Sequence, residues 1–278
     1  MWPTGKFTGG RNVAGPCIIT VGNNKGGVGK STTCVNLSAG LARDGASVLV
    51  IDGDPQSNTT STLLPDLGLR ENSSLVRALE DPEGAFSPFA CATRTERLEI
   101  VPNSIRCMEW EVRSYSGIDS VLGFSRLLQN DKDLAKYDFV IIDTPPNIGP
   151  MLRNALLISD FVLVPCPVGD QYALDGFSTF IQVLSQAKQQ NKKLLLLGVV
   201  LTKFDGRAMT HKKNKNRIRG FFDAKGIPVF ETEIRVNIDI DRAHSQRKTI
   251  FEFDANKSGA QDYAALARET FARVQKEA

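Results

Sequence analysis

A glycine-rich segment at residues 22–32 has the residue types and the order that can bind a phosphate chain. It contains the run Lys-Gly-Gly-Val-Gly-Lys-Ser-Thr, between an apolar run at 17–21 and a helical pattern that begins at Ser31. Glycines allow backbone N–H groups to turn toward phosphate oxygens, and the first turn of a helix adds positive potential. We expect Lys30 to reach the β- and γ-phosphates of a nucleotide and the Ser31 hydroxyl to coordinate Mg²⁺. The predicted nucleotide-binding residues of this phosphate loop are Lys25, Gly26, Gly27, Val28, Gly29, Lys30, Ser31 and Thr32.

The phosphate loop departs from the common G-x-x-x-x-G-K-[ST] spacing at one position. Asn24 stands where that spacing has glycine, and a second lysine, Lys25, comes directly before Gly26. A further cation that faces the charge developing on phosphate would assist hydrolysis. Lys25 is therefore a candidate catalytic residue beside Lys30.

Two other apolar runs end in aspartate. Asp52 and Asp54 come at the end of one run, and Asp143 ends another. A carboxylate at the C-terminal end of a parallel strand points into the crevice where such sheets bind ligands. Asp143 is therefore predicted to hold Mg²⁺ through a water molecule. Asp54 either belongs to the same site or forms a common Asp-Pro turn after its strand.

These motifs resemble those of the ParA/MinD family of P-loop ATPases, from about residue 17 to about residue 270. Lys25 matches the extra lysine of the family's deviant Walker A motif, residues 52–56 match D-x-D-P-Q, and residues 143–146 match the D-x-P-P switch segment. The resemblance implies that Lys25 crosses a dimer interface to the partner's nucleotide, so that ATP joins two subunits. It also implies that Asp54 is needed for hydrolysis, by orienting the attacking water and supporting the Mg²⁺ shell. The candidate catalytic residues are thus Lys25, Lys30 and Asp54, and the candidate metal ligands are Ser31, Asp54 and Asp143.

Residues 202–205 read Thr-Lys-Phe-Asp, which is similar to the [NT]-K-x-D element with which many G-proteins recognise guanine. Asp205 is therefore a candidate contact to the nucleotide base. The deviant phosphate loop favours ATP, and GTP remains the alternative nucleotide.

The elements that would position these residues alternate between strands and helices. Short apolar, β-branched runs without strict alternation are typical of strands that are buried on both faces of a parallel sheet. The predicted strands are 17–21, 47–52, 98–101, 139–143, 161–165, 195–201 and 227–230, and the clearest helices are 31–43 and 176–190. We therefore predict an α/β fold: a doubly wound, mostly parallel sheet of the P-loop NTPase type with helices on both faces. Residues 17–278 are predicted to form one domain after a short extension at 1–16.

Composition excludes several classes of protein. Of 278 residues, 41% are hydrophobic, and 34 basic residues oppose 31 acidic ones, which argues against a largely disordered or histone-like chain. The five cysteines include no C-x-x-C pair, which argues against a zinc ribbon or a paired-cysteine iron–sulfur carrier. No apolar run approaches the roughly 18 residues of a membrane-spanning helix, so we expect a cytoplasmic protein.

Basic residues are concentrated in one segment. Residues 202–220 carry seven Lys or Arg residues against one Asp, which indicates either a DNA surface or a solvated helix face. The resemblance implies DNA binding without sequence preference in the ATP-bound state, and it extends the surface to a second basic group near residue 245. Asp239 stands where the family commonly has arginine. The candidate DNA-binding residues are Arg207, Lys212, Lys213, Lys215, Arg217, Arg219, Arg242, Arg247 and Lys248.

The favoured function is that of a ParA-like ATPase that dimerises on ATP and segregates or positions DNA or another cargo. The alternatives are a MinD-like membrane-associated ATPase and an ATP-dependent iron–sulfur or electron-transfer accessory protein. Residues 261–278 balance three acids with three bases, which disfavours the amphipathic basic helix of the former. Cys91 and Cys107 lack the glycine-rich flanks or paired spacing that the latter would need, and Tyr263 alone disfavours a tyrosine kinase.

The resemblance also implies partners and a location. We expect a homodimer with bound ATP and Mg²⁺, non-specific DNA, and a ParB-like or cargo-linked activator of slow hydrolysis. No stable membrane association is expected, and the protein should associate with the nucleoid.

Overall fold

An eight-stranded sheet forms the centre of the protein, which is described by a computed structural model over residues 15–64, 74–114, 119–170, 174 and 176–277. The strand order is β3-β4-β2-β5-β1-β6-β7-β8, and all neighbours are parallel except β3, which is antiparallel to β4. The strands are β1 Cys17–Val21, β2 Val48–Asp52, β3 Cys91–Ala92, β4 Leu98–Val101, β5 Phe139–Asp143, β6 Phe161–Pro167, β7 Leu195–Phe204 and β8 Val229–Arg235.

Helices cover both faces of this sheet, as the continuous burial of its central strands requires. They are α1 Lys30–Arg43, α2 Asn58–Leu63, α3 Leu75–Glu80, α4 Arg106–Ser114, α5 Asp119–Asn130, α6 Pro150–Ile158, α7 Phe177–Gln190, α8 Met209–Asp223, α9 Ile238–Ser245, α10 Ile250–Asp254 and α11 Ser258–Glu277. Helices α1, α9, α10 and α11 share one apolar core with the sheet, whereas α3 to α8 pack in two further cores. Ile19 lies in the first core and its neighbour Ile18 in the second, because successive side chains of a strand point to opposite faces. The predicted doubly wound fold is confirmed.

The boundaries follow local chemistry. Helix α1 ends where predicted: Gly45 has φ 104°, and its N–H donates to Ala42 O at 2.9 Å, which is the left-handed termination that glycine permits. Strand β8 was predicted at 227–230 but begins at Val229 and continues to Arg235. Its second half carries charged residues and pairs only with β7, so it lacks the apolar run expected of a buried strand.

Three points of the sequence analysis concern the extent of the chain. Residues 1–14, most of the predicted extension, lie outside the described residues. The assignment of 17–278 as a single domain stays a prediction. None of the helices within the described part of the chain combines the length and the apolar character needed to cross a membrane.

Candidate active site

Three adjacent strands bring the phosphate loop and the carboxylates together. In the order β2-β5-β1, Asp52 pairs with Asp143, and Asp143 pairs in turn with Val21, the last residue before the loop. The register of a parallel sheet therefore places all three at the same level of its carboxyl edge. The chain after β2 also lies close to the end of β5. The Gly53 N–H donates a hydrogen bond to Asp143 O at 2.9 Å, and a Cβ at position 53 would lie 2.7 Å from the same oxygen.

The phosphate loop has the backbone of an anion-binding nest. Gly27 and Gly29 have φ values of 71° and 97°, which only glycine adopts at no steric cost, and the loop leads directly into α1. Residues from neighbouring strands fix it: Asn23 Nδ2 donates to Pro165 O at 2.8 Å, and Thr202 Oγ1 donates to Val28 O at 2.9 Å. Sequence analysis did not identify Asn23 or Thr202 as site residues.

Lys30 is buried within the loop. The residue is only 6% exposed, and its Nζ donates a hydrogen bond to Lys25 O at 2.9 Å. Burial lowers the pKa of Lys30, and the charges of Asp143 and Asp54 oppose that change. A buried ammonium near two carboxylates, at the start of a helix, is well placed to bind phosphate oxygens.

Lys25 has a different partner from Lys30. Its ammonium forms an ion pair with Asp170, which follows β6, and its side chain is 37% exposed. The two lysines of the loop thus differ: Lys30 is enclosed by the loop, and Lys25 is held at the rim by a residue 145 positions away in the chain. Asp170 was not foreseen from the sequence.

Asp143 is fully buried and has a free acceptor. Thr59 Oγ1 donates to its Oδ2 at 2.7 Å, while its Oδ1 is buried and accepts no hydrogen bond from the described residues. Burial raises the pKa of Asp143 to about 6, and hydrogen bonds from the Thr59 and Ser31 hydroxyls oppose this rise. An unpaired carboxylate oxygen beside a serine hydroxyl is a donor set that suits Mg²⁺, a cation that prefers oxygen ligands.

Asp52 and Asp54 have different surroundings. Asp52 accepts hydrogen bonds from Thr60 N at 2.8 Å, from Thr60 Oγ1 at 2.5 Å and from Asp54 N at 3.1 Å, so it anchors the start of α2. Burial, and then the charge of Asp143, raise the pKa of Asp52 to about 7. Asp54 is 6% exposed, and its Oδ1 accepts from Gln56 N at 2.9 Å, which is a turn contact. The predicted role of Asp54 in hydrolysis stays a prediction.

The carboxylate of Asp205 is hydrogen-bonded within its own turn. Its Oδ1 accepts hydrogen bonds from the backbone N–H of Arg207 at 3.0 Å and from the Arg207 Nε at 3.2 Å. These bonds, that of the backbone N–H first, lower the pKa of Asp205. A contact of Asp205 to the nucleotide base remains a prediction.

The candidate DNA-binding residues lie on opposite faces of the sheet. Helix α8 buries Ile218 and Phe222 in the core it shares with α7, whereas α9 and α10 bury Ala243 and Ile250 in the core they share with α1. The structure therefore does not gather all nine residues on one helix face. On α8, Lys212, Lys213 and Arg217 are exposed.

Several of these residues are paired with acids. Lys215 Nζ lies 2.5 Å from Glu233, Arg219 lies 3.4 Å from the same carboxylate, Arg207 lies 3.2 Å from Asp205, and Arg242 lies 3.2 Å from Asp239. Arg247 is exposed with φ 54°, and Lys248 lines a small groove with Ser31 and Thr32 of the phosphate loop.

Comparison with known proteins agrees with the site. A family model described as an AAA domain matches residues 17–196. The sporulation initiation inhibitor protein Soj of Bacillus subtilis is 34% identical over 92% of this chain and 98% of its own length. The chromosome-partitioning ATPase Soj of Thermus thermophilus is also 34% identical, over 92% of this chain and 96% of its own. A crystal structure of cobyrinic acid a,c-diamide synthase from Mycobacterium smegmatis with bound ADP and magnesium has a TM-score of 0.74 at 26% identity, covering 91% of this chain and 93% of that one.

The resemblance first indicated by the deviant phosphate loop is thereby confirmed. The loop glycines, the buried Lys30 and the unpaired oxygen of Asp143 are the parts that a nucleotide and its metal require, and the two Soj relatives are similar to this chain over nearly their whole length. The chain belongs to the ParA/Soj family of chromosome-partitioning P-loop ATPases, whose nucleotide is ATP and whose metal is Mg²⁺.

Proposed function

We propose that this ATPase is a nucleotide-dependent switch: it dimerises on ATP, binds DNA without sequence preference, and segregates or positions DNA or another cargo through hydrolysis. The observation that carries the proposal is the placement of Lys25. Its ammonium lies at the rim of the loop in an ion pair with Asp170, so it is available to a second molecule once that pair opens. A generic monomeric P-loop enzyme has no use for a second lysine placed in this way.

Exposed apolar side chains support a face-to-face dimer. Among the described residues the large exposed ones are Ile105, Met108, Val112, Leu122, Met209, Val236 and Ile238. Ile105, Met209 and Val236 follow the carboxyl ends of β4, β7 and β8 within five residues, at the edge of the sheet that also carries the phosphate loop. Exposed apolar side chains along the edge that carries the phosphate loop suit a surface that a second subunit covers.

The catalytic roles follow from the chemistry of the site. Lys30 stabilises charge on the β- and γ-phosphates, and Lys25 of the partner subunit adds a second cation. Asp54 orients the attacking water. Ser31 and Asp143 would hold Mg²⁺, with support from Asp54; when bound, the ion neutralises charge on the phosphates. In the dimer Lys25 exchanges Asp170 for phosphate.

DNA binding is assigned mainly to α8. Lys212, Lys213 and Arg217 are exposed there, and cations of this kind neutralise backbone phosphates, whose contacts carry no sequence information. A dimer doubles the number of contacts to one duplex, which explains why binding should require ATP. The name of the Thermus thermophilus relative includes chromosome partitioning, which supports a nucleoid location and a ParB-like or cargo-linked activator.

The test combines oligomeric state with DNA affinity. Sedimentation with ATP and Mg²⁺ should show a dimer of the wild-type chain, and DNA binding should appear only in that state. A triple variant, with Lys212→Gln, Lys213→Gln and Arg217→Gln, should dimerise but lose DNA. Its matched control replaces Lys188, Lys192 and Lys276 with Gln; these lysines are exposed and lie outside α8.

Two results would count against the proposal. A wild-type chain that remains monomeric with ATP would contradict the proposed nucleotide-dependent switch. Equal DNA affinity in the triple variant and its control would remove α8 from the DNA surface and leave Arg242, Arg247 and Lys248 as the candidates.

A further inference from the structure

A buried glutamate reaches the start of α6 from a different helix. Glu111 of α4 is 9% exposed, and its Oε1 accepts a hydrogen bond from Met151 N at 3.4 Å. The first N–H groups of a helix lack partners within it, and Gly149 at the N-cap has no side chain to supply one. Glu111 provides the missing acceptor, and the Asn147 side chain also hydrogen-bonds its carboxylate.

The segment that Glu111 holds borders the phosphate loop. Residues 144–149 connect Asp143 to α6, and at their beginning Thr144 Oγ1 donates to Val21 O at 2.9 Å. Further along, a Cβ placed on Gly26 of the loop would lie 4.0 Å from Pro146 Cβ. The segment is therefore anchored at one end by β1 and at the other by Glu111, with the loop beside its middle.

The contact between Glu111 and the end of segment 144–149 is closely packed. A Cβ on Gly149 would lie 3.0 Å from Glu111 Oε1 and 2.7 Å from Asn147 Oδ1. The backbone thus rests directly against the glutamate, and a side chain at position 149 would push the two apart. Movement of Glu111 would be passed on to residues 144–149 because no space lies between them.

Glu111 also lies within the electrostatic reach of Asp54. Burial raises the pKa of Glu111, the charge of Asp54 adds to this rise, and the Met151 N–H and Asn147 hydrogen bonds oppose it. Capping the start of α6 does not by itself require a buried carboxylate whose charge interacts with that of Asp54, the residue assigned to the attacking water.

We propose that Glu111 is a positioning residue for ATP hydrolysis, which holds residues 144–149 against the phosphate loop so that the terminal phosphate and its water are aligned. The proposal rests on the proposed function for the role of Asp54, and it adds a residue on α4 that the sequence motifs do not include. It does not require DNA binding.

The experiment separates positioning from helix stability. Single-turnover hydrolysis and ATP affinity are measured without DNA, well below the unfolding temperature, for the wild type and for Glu111→Ala, Glu111→Gln and Glu109→Ala. Glu109 is the matched control, because it is exposed on the same helix. Glu111→Ala should slow hydrolysis by about 10- to 100-fold, the order expected for a displacement of about 1 Å, with ATP affinity nearly unchanged.

The conservative variant distinguishes the roles. Glu111→Gln keeps one acceptor oxygen for Met151 N and should recover most of the rate lost in Glu111→Ala, while Glu109→Ala should match the wild type. If Glu111→Ala lowers the melting temperature but hydrolyses ATP at the wild-type rate, the residue only caps a helix and the proposal fails. It also fails if ATP affinity falls as far as the rate.

A second measurement keeps the test valid if Glu111→Ala does not fold. Asn147→Ala removes the other hydrogen-bonding partner and should slow hydrolysis in the same way by a smaller factor, and a wild-type rate in that variant would overturn the proposal. Failure of the proposed function is read separately, from the oligomeric state and DNA affinity of the wild type.

Discussion

The nucleotide site and the basic surface of α8 are built in opposite ways. The site lies at the ends of buried strands, where sheet register alone places Asp52, Asp143 and the loop at one level. The cations of α8 lie on an exposed helix, and Lys215 is 2.5 Å from an acid on β8. The core therefore fixes the positions of the site residues. The positive charge of the α8 surface depends instead on how many of its cations pair with acids.

This difference teaches where function can be changed without changing the fold. Replacement of Lys30, Asp52 or Asp143 alters a buried polar group and should have a large effect, since a buried charge that loses its partner is costly. Replacements on α8 alter solvated charges and should have effects that are small and sensitive to salt.

The largest effect is expected from Lys30→Ala. The loop would retain its backbone N–H groups but lose the buried ammonium that binds the β- and γ-phosphates. Isothermal titration should detect no ATP binding, while a thermal melt without nucleotide shows a folded protein. Unchanged affinity would contradict the assignment of the phosphate loop.

Asp54→Ala should separate binding from chemistry. ATP should still bind, but hydrolysis should fall by about 10²- to 10⁴-fold, the range for a positioned catalytic group. The product would be a dimer that remains on DNA. If single-turnover hydrolysis in this variant equalled that of the wild type, the Gln56 contact would be the whole role of Asp54.

Lys25→Gln should change assembly and leave ATP binding by the monomer intact. The variant removes the ion pair with Asp170 and also the cation offered to the partner's phosphates. Sedimentation with ATP and Mg²⁺ should show monomers. Asp170→Asn is the informative control, because it frees Lys25 and should favour the dimer; monomers in both variants would indicate that the ion pair only supports the local fold.

Much of the site could be predicted from sequence because its motifs are local. The phosphate loop is continuous in the chain, and Asp54 and Asp143 each follow a recognisable strand. Asp170 could not be found in this way, since its contact to Lys25 joins residues 145 positions apart. Thr202 belongs to the motif at 202–205, but its contact to Val28, 174 positions away, could not be predicted. Only the folded sheet brings such residues together.

The fold itself was predictable in the interior of the sheet and less so at the edge strand β8. Strands β1, β4 and β5 have the predicted bounds, whereas β8 was misplaced because Glu231 and Glu233 interrupt its apolar pattern. The same acids pair with Arg219 and so remove positive charge from the α8 surface. Charge on the edge strand β8 therefore explains the misplaced strand, and it also supplies the acids that pair with Arg219 of α8.

A pH series tests the buried carboxylates. Burial raises the pKa of Asp52 to about 7, above its ordinary value of 3.8, so the folded protein holds this proton more tightly than the unfolded chain. The free energy of unfolding of the nucleotide-free protein should therefore fall as the pH rises from 4 toward 7. In Asp52→Asn the slope should decrease, with Asp143 supplying the remainder. An unchanged slope in Asp52→Asn would show that Asp52 does not titrate there.

The smallest effect distinguishes two lysines of the same helix. Lys212 is exposed, whereas Lys215 is bound to Glu233 and lies 4.9 Å from the Phe204 ring centre. If Lys212 contacts a phosphate, Lys212→Gln should reduce the slope of log affinity against log salt by about 0.9, the value for one contact to duplex DNA. Lys215→Gln should leave that slope unchanged, because a cation already neutralised by a carboxylate releases no counterion from DNA. The measurement is a DNA-binding isotherm with ATP at several salt concentrations. Equal changes in the two variants would mean that the Glu233 pair opens on DNA, and that the ion pairs of α8 hold cations ready for phosphate instead of removing them from the surface.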